Sequence, residues 1–297
     1  MEISDRPSEC AHDIEQKSVC SSDVVVEKMR VFAKQPAGVS KENAVQAAAK
    51  KTGCITESCV LNNRQFVEFA GENVIKMVLN MNFKPSGPSG SFDWLSNSNI
   101  DQVLDQVERK YKDKKFLHIP FQMRDFEKTK MTNEDVRSAK ERLSPFDLER
   151  VLMKNLANID FAEKYKLGIR RFGVVFNTDA SVGRGQHWYS LYGDMSTTPI
   201  VIEYFNSSGE QPQSEIQIWL DMTKHRLQKD LGKDVKVVVC AKQHQTDEHS
   251  CGAYALYYIM SRLSGIPYQT FHDTLVPDEL MHKFRKHLFR REKLLTH

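Results

Sequence analysis

The sequence has few long apolar runs. No stretch reaches the ~18 uninterrupted apolar residues that a membrane-crossing helix needs, so no membrane association is expected. The opening MEISDRPSECAHDIEQK has no apolar segment of the kind that directs secretion. Residue 2 is Glu and the last five residues are KLLTH, so neither lipidation signal is present. Excess charge is lacking as well. Lys and Arg number 42 against 39 Asp and Glu, a net +3, too even for a dedicated nucleic-acid binder. Cysteine is sparse: Cys10, Cys20, Cys54, Cys59, Cys240 and Cys251, with no C-x-x-C pair. A protein used in a reducing compartment is expected to keep these as thiols. A metal site built from the first four stays open as an alternative. What is present is an ordinary globular composition, 40% hydrophobic and 27% charged, which excludes disorder, collagen and coiled coil for the bulk of the chain. A chain of 297 residues accommodates one large domain, or one domain with an appendage.

Hydropathy patterning divides the chain. Ser22-Asp23 leads an apolar stripe at Val24, Val25, Met29, Val31 and Phe32, which reads as a capped helix. SKENAVQAAAKKTG reads as a second helix and NRQFVEFAGENVIKMVLNMN as another. FKPSGPSGSF, residues 83–92, then concentrates Pro, Gly and Ser and reads as a linker. The division is a helical arm over 1–90 and a second domain over 91–297. In the second domain a helix is predicted from about Ile100. Strands are predicted at FLHIPFQM, FGVVFNT, HWYSLYGD, the run over 200–205 and DVKVVVCAK. Helices are predicted at SEIQIWLDMTKHRLQKDLG, CGAYALYYIMSRLSG and VPDELMHKFRKHLF. Strands and helices interleaved in this order argue for an α+β domain with a mixed sheet flanked by helices.

Cys251 attracts attention because it follows the polar run QHQTDEHS and opens an apolar helix. A cysteine in a first helical turn meets the positive end of the helix dipole, which predicts a lowered thiol pKa. Gly252 permits close approach of another group. A thiolate nucleophile needs an imidazole partner, and that partner an orienting amide or carboxylate. His187 stands at a loop-to-strand junction, and Asn206 ends the next strand, 19 residues on. His249, much nearer Cys251 in sequence, competes with His187. Gln245, six residues before Cys251, is placed to stabilise an oxyanion together with the Cys251 N–H. Gln243 is the alternative donor.

The ordered set His187-Trp188, Tyr204-Phe205-Asn206-Ser207 and Gln245-x5-Cys251-Gly252-Ala253-Tyr254 resembles the SUMO-protease superfamily, the Ulp-type, adenain-like cysteine peptidases. WLSNSNI, residues 94–100, is similar to the element that precedes the family's first catalytic helix. Here Ser96-Asn97 stands where Asn-Asp is common, so the acidic contact some members make with a ubiquitin-like substrate is not carried over. PSECA (7–11), ESCV (57–60), FGVVFNTD (172–179), IEYFNS (202–207) and KFRKHLF (283–289) narrow the likeness. They are similar to the polyprotein-processing branch found in African swine fever virus and related large DNA viruses, where Asn also stands in the orienting position and a helical arm precedes the catalytic domain.

The resemblance implies a thiol endopeptidase with a His187, Asn206, Cys251 triad, and Gln245 and Trp188 at the substrate. It implies cleavage of viral structural polyproteins after Gly-Gly, in host-cytoplasmic virus factories and the virion, by a monomer needing no cofactor or metal. Trp94 and Trp188 are candidate walls of a tunnel that only glycine threads. The alternatives are an isopeptidase acting on host ubiquitin-like conjugates, an acyltransferase, and a binding module using the basic run over 283–293.

Overall fold

Five short helices wrap one apolar cluster at the N-terminus. They are α1 (Asp23–Phe32), α2 (Lys41–Thr52), α3 (Glu57–Asn62), α4 (Arg64–Ala70) and α5 (Glu72–Asn82). The computed structural model describes residues 8–88, 92–144, 148, 151–240 and 242–290. Val25, Met29, Phe32, Val60, Phe66, Ile75 and Phe83 fill the arm's core. Val24 and Val31 of the expected stripe face solvent, and Val26 is buried in their place. The segment 63–82 is two helices and not one. Gly71, at φ +95°, separates them in a backbone conformation that side chains with a Cβ rarely adopt.

The arm cysteines overturn the expectation of free thiols. Folding brings Cys10 to Cys20 and Cys54 to Cys59 at Cα separations of 4.9 and 5.6 Å, within disulfide reach, and both pairs are bonded. Their sulfurs are thereby consumed pairwise, which removes the four-cysteine metal site. Cys240 and Cys251 are the free thiols.

Residues 83–88 of the expected linker are pinned to the second domain. Lys84 is fully buried, and its ammonium pairs with Glu15 at 2.6 Å. Arg290 donates to the Lys84 carbonyl at 3.0 Å, and Asn99 donates to that of Ser86 at 3.3 Å. The loop closed by the Cys10–Cys20 bond adds further ties. The His12 N–H donates to Gln106, Arg109 pairs with Asp13, and Lys110 pairs with Glu15. The boundary expected at residue 90 lies outside the described residues.

In the second domain, α6 (Asn97–Lys110) starts three residues earlier than its apolar pattern suggests. Ser96 and Asn99 form a reciprocal capping box, which satisfies two orphan N–H groups of the first turn. Five strands follow: β1 (Phe116–Met123), β2 (Arg171–Asn177), β3 (Trp188–Asp194), β4 (Ile200–Phe205) and β5 (Val235–Cys240). They pair in chain order. β2–β3 and β3–β4 are antiparallel, whereas β1–β2 and β4–β5 are parallel. Short loops join the antiparallel pairs, and the parallel pairs require crossovers. α7 (Asn133–Arg142) and α8 (Phe161–Lys166) lie in the first crossover, and α9 (Ser214–Leu231) forms the second.

Every residue of the central strand β3 is buried, because both faces of the sheet are covered. Tyr189 and Leu191 meet Trp219 and Leu220 of α9 in one layer. Trp188 and Tyr192 face α6, α10 (Cys251–Leu263) and, past α11 (Gln269–Asp273), α12 (Asp278–Leu288) in the other. This double burial explains why HWYSLYGD alternates poorly: alternation reports a strand with one wet face.

α10 is apolar nearly all round, and one buried charge pair fixes its rotation. Glu203 on β4, with no exposure, takes a two-pronged contact from Arg262 at 2.7 and 2.8 Å and a hydroxyl from Tyr258 at 2.8 Å. Burial pushes the Glu203 carboxyl upward and the guanidinium opposes it. Removing one member of such a pair strands the other. Arg262→Met is expected to cost about 3–5 kcal/mol of stability in urea unfolding, and a loss below about 1 kcal/mol would contradict this role.

Candidate active site

The N-terminus of α10 meets the start of β3, and that meeting builds the site. Cys251 is 3% exposed at the start of α10, and the neighbouring N–H groups of Trp188 and Gly252 offset part of the cost of burying its thiolate. His187 immediately precedes Trp188, the first residue of β3. The His187 Nε2 lies 2.7 Å from Asn206 Oδ1. Asn206, just past the end of β4, is 1% exposed.

The chemistry of the neighbours fixes which atoms face each other. The Ser208 N–H donates to Asn206 Oδ1 at 3.1 Å. A backbone N–H can only donate, so the atom it meets is the amide oxygen. That oxygen must then take a proton from His187, which places N–H on Nε2. Nδ1 is the ring nitrogen that Asn206 does not engage. The Asn206 NH2 donates to the Tyr204 hydroxyl at 3.3 Å, which holds the amide plane from its other side.

Gln245 is 7% exposed and held at both ends of its amide. The Ser207 hydroxyl donates to its Oε1 at 2.8 Å, and its Nε2 donates to the Asp247 carbonyl at 2.7 Å. Because a carbonyl only accepts, this contact assigns Nε2 to the side nearer the nucleophile loop. Gln243, the alternative donor, is exposed and supports the loop by donating to the Gln245 carbonyl.

Trp188 is buried to 8% and donates its indole N–H to the Leu95 carbonyl at 3.0 Å. Trp94 is half-exposed and donates to the Glu248 carbonyl at 2.9 Å. A Cβ on Gly252 would stand 3.1–3.2 Å from three atoms of the Leu95 side chain. The close approach expected at Gly252 is therefore made by Leu95, which clamps segment 94–95 over the first turn of α10.

His249, the competing imidazole, does not join this group. Its ring lies 6.0 Å from that of Phe92, and its backbone N–H goes to Asp247. His244 is buried with its pKa lowered to about 4 by desolvation, and its Nδ1 accepts from the Val276 N–H. It is a neutral core group. Asp247 was missed by sequence reasoning. Its carboxylate accepts from the His249 and Ser250 N–H groups and from the Ser250 hydroxyl. An Asp three residues before a helix's N-cap was the available signal. A cleft of ≈ 500 Å³ lined by Trp219 and Arg226 lies on the opposite face of the sheet and contains none of these residues.

No family model matches the chain. A cysteine protease of African swine fever virus is 32% identical over 290 residues, covering 97% of each chain. The chain belongs to this cysteine protease family. Another isolate's member, equally similar over the same share of both chains, is called a SUMO-1 cysteine protease. The crystal structure of the African swine fever virus protease superposes with a TM-score of 0.71 at 29% identity, covering 98% of both chains. A mimivirus protein described as a thiol protease is 24% identical over 227 residues, 75% of this chain and 67% of its own. The protein is thus a viral thiol protease, a hydrolase with an α+β fold.

The expectation of a depressed thiol pKa is corrected. Burial pushes the Cys251 thiol up, and the nearby Asp247 charge adds to this. The two N–H groups and Arg285 offset only part of it. The helix end is present, but desolvation of the thiolate outweighs it. Iodoacetamide should therefore alkylate Cys251 at a rate that rises with pH through a midpoint above the ordinary ~8.5. A midpoint below 7, read by peptide mass mapping, would contradict a protonated resting thiol.

Proposed function

We propose that this protease is an endopeptidase that cleaves viral structural polyproteins after Gly-Gly through an acyl-enzyme, with His187, Asn206 and Cys251 as its triad. The observation that carries the reading is the His187–Asn206 hydrogen bond of 2.7 Å, with Cys251 buried at the start of α10 in the same core layer as Trp188. We place the enzyme, working as a monomer, in host-cytoplasmic virus factories and the virion. No helix among the described residues is long and apolar enough to cross a membrane.

His187 Nδ1 takes the Cys251 proton as sulfur attacks the carbonyl carbon of the second glycine. The Asn206 oxygen holds Nε2–H and keeps the ring in line. The carbonyl oxygen becomes an oxyanion, received by the Cys251 N–H and by Gln245 Nε2, which exchanges its 3.3 Å contact with Asp247 Oδ1 for the substrate while keeping the one to the Asp247 carbonyl. His187 returns its proton to the leaving amine and the C–N bond breaks. Water, deprotonated by His187, then attacks the thioester and frees sulfur and the carboxyl product. Losing one oxyanion donor costs roughly 10²–10³ in rate.

Specificity follows from the walls. We assign the walls to Trp188, Trp94 and Leu95: Leu95 lies against Gly252 and its carbonyl takes the Trp188 indole N–H, and walls of this kind would reject a Cβ by steric overlap. A second reading uses the same residues on the Gly-Gly tail of a ubiquitin-like conjugate, and the name of one relative, a SUMO-1 cysteine protease, favours it. A peptide library varying both residues before the scissile bond, run beside a SUMO conjugate, tests both. Cleavage after Gly-Gly alone, absent in Cys251→Ala and slow on the conjugate, is expected. Faster turnover of the conjugate would favour the isopeptidase, and cleavage surviving in Cys251→Ala would reject the nucleophile.

A further inference from the structure

We propose that Asp247 is a positioning residue of this reaction, holding the oxyanion donor Gln245 and the first turn of α10 in one frame. The proposal rests on the roles assigned above to Cys251 and Gln245.

The carboxylate is surrounded by donors. Oδ1 accepts from the N–H groups of His249 and Ser250 at 2.9 and 2.8 Å, with Gln245 Nε2 at 3.3 Å. Oδ2 accepts from the Ser250 hydroxyl at 2.6 Å and His282 Nε2 at 3.0 Å. Ser250 occupies the N-cap of α10 yet does not cap it with its own side chain. Asp247 takes over the turn that leads into the helix. The Asp247 carbonyl receives Gln245 Nε2, so a single residue touches the oxyanion donor through two of its oxygens.

Asp247 is itself anchored from α12. Asp278 accepts from the N–H groups of Thr246 and Asp247, both at 3.1 Å, and from the Tyr254 hydroxyl at 2.8 Å. Arg285 is buried and donates to the His249 carbonyl at 2.8 Å and to the Asp93 carbonyl. Segment 93–95, the nucleophile loop and α12 are thus one hydrogen-bonded unit with Asp247 at its centre.

The charge has a separate effect from the shape. With so many donors the Asp247 carboxyl is held at about 2, so it is ionised throughout the working range. The groups facing it are His282, Arg285 and Asp278 from α12, His249 and Glu248 from its own loop, and Cys251 from α10. Asp247 raises the Cys251 thiol, and Arg285 lowers it. Positioning and charge therefore act on the nucleophile in opposite directions.

Asp247→Asn keeps one oxygen for the backbone N–H groups and removes the charge; Asp247→Ala removes both. On a fluorogenic peptide ending in Gly-Gly, kcat should fall about tenfold in Asp247→Asn and about 10²-fold in Asp247→Ala, with KM within about twofold. The alkylation midpoint of Cys251 should at the same time move to lower pH in Asp247→Asn. In a Gln245→Ala background the further loss from Asp247→Asn should shrink, because the two residues act as a unit. Where Asp247→Ala fails to fold, Asp247→Asn with an unchanged melting temperature decides alone. Unchanged kcat, or losses of turnover, alkylation and melting temperature in step, would overturn the positioning role. If wild type does not cleave the peptide, or keeps its activity after Cys251 is alkylated, the proposed function falls first. Wild-type cleavage with indifferent Asp247 variants removes only this proposal.

Discussion

The hydrogen bond of 2.7 Å between His187 Nε2 and Asn206 Oδ1 is the contact on which the rest depends. It joins the residue that precedes β3 to the residue that follows β4, so the antiparallel pairing of two neighbouring strands sets it. Cys251 opens the apolar helix α10, which packs on the same sheet. A thiol so buried has an unfavourable thiolate.

The packing around this join maintains it. β3 is buried on both faces, so its end cannot drift. The Glu203–Arg262–Tyr258 group sets the rotation of α10, and Leu95 wedges against Gly252. α12 holds the loop ahead of Cys251, and its far end reaches the arm through Arg290 and Lys84. The arm is therefore not a tether hung on a flexible linker. Asp13 and Glu15 of the Cys10–Cys20 loop bind it to α6, and the Lys84 carbonyl takes Arg290.

Much of this was legible in the chain. Strand and helix order, the mixed sheet and the helical arm followed from patterning. Of the residues the spacing singled out, His187 meets Asn206, and Gln245 meets Ser207, the residue after Asn206. What was illegible depended on tertiary context. The Gly71 break looked like a tolerated helix glycine until its φ was known. The cysteine pairing arises from proximity that no spacing rule reports. The direction of the Cys251 pKa was misjudged because a local rule, the helix dipole, was applied without the burial that outweighs it. Asp247 looked like one more charge in a polar loop, since its importance lies in partners drawn from α12.

The account's central claim is that Cys251 attacks with His187 as its base. Intact-mass analysis after exposure to a peptide ending in Gly-Gly with a vinyl methyl ester tests it most directly. The account predicts a single adduct, mapped to Cys251 in the wild type and lost or greatly slowed in His187→Ala. An adduct on Cys240, or one that forms on Cys251 at the same rate without His187, would contradict it.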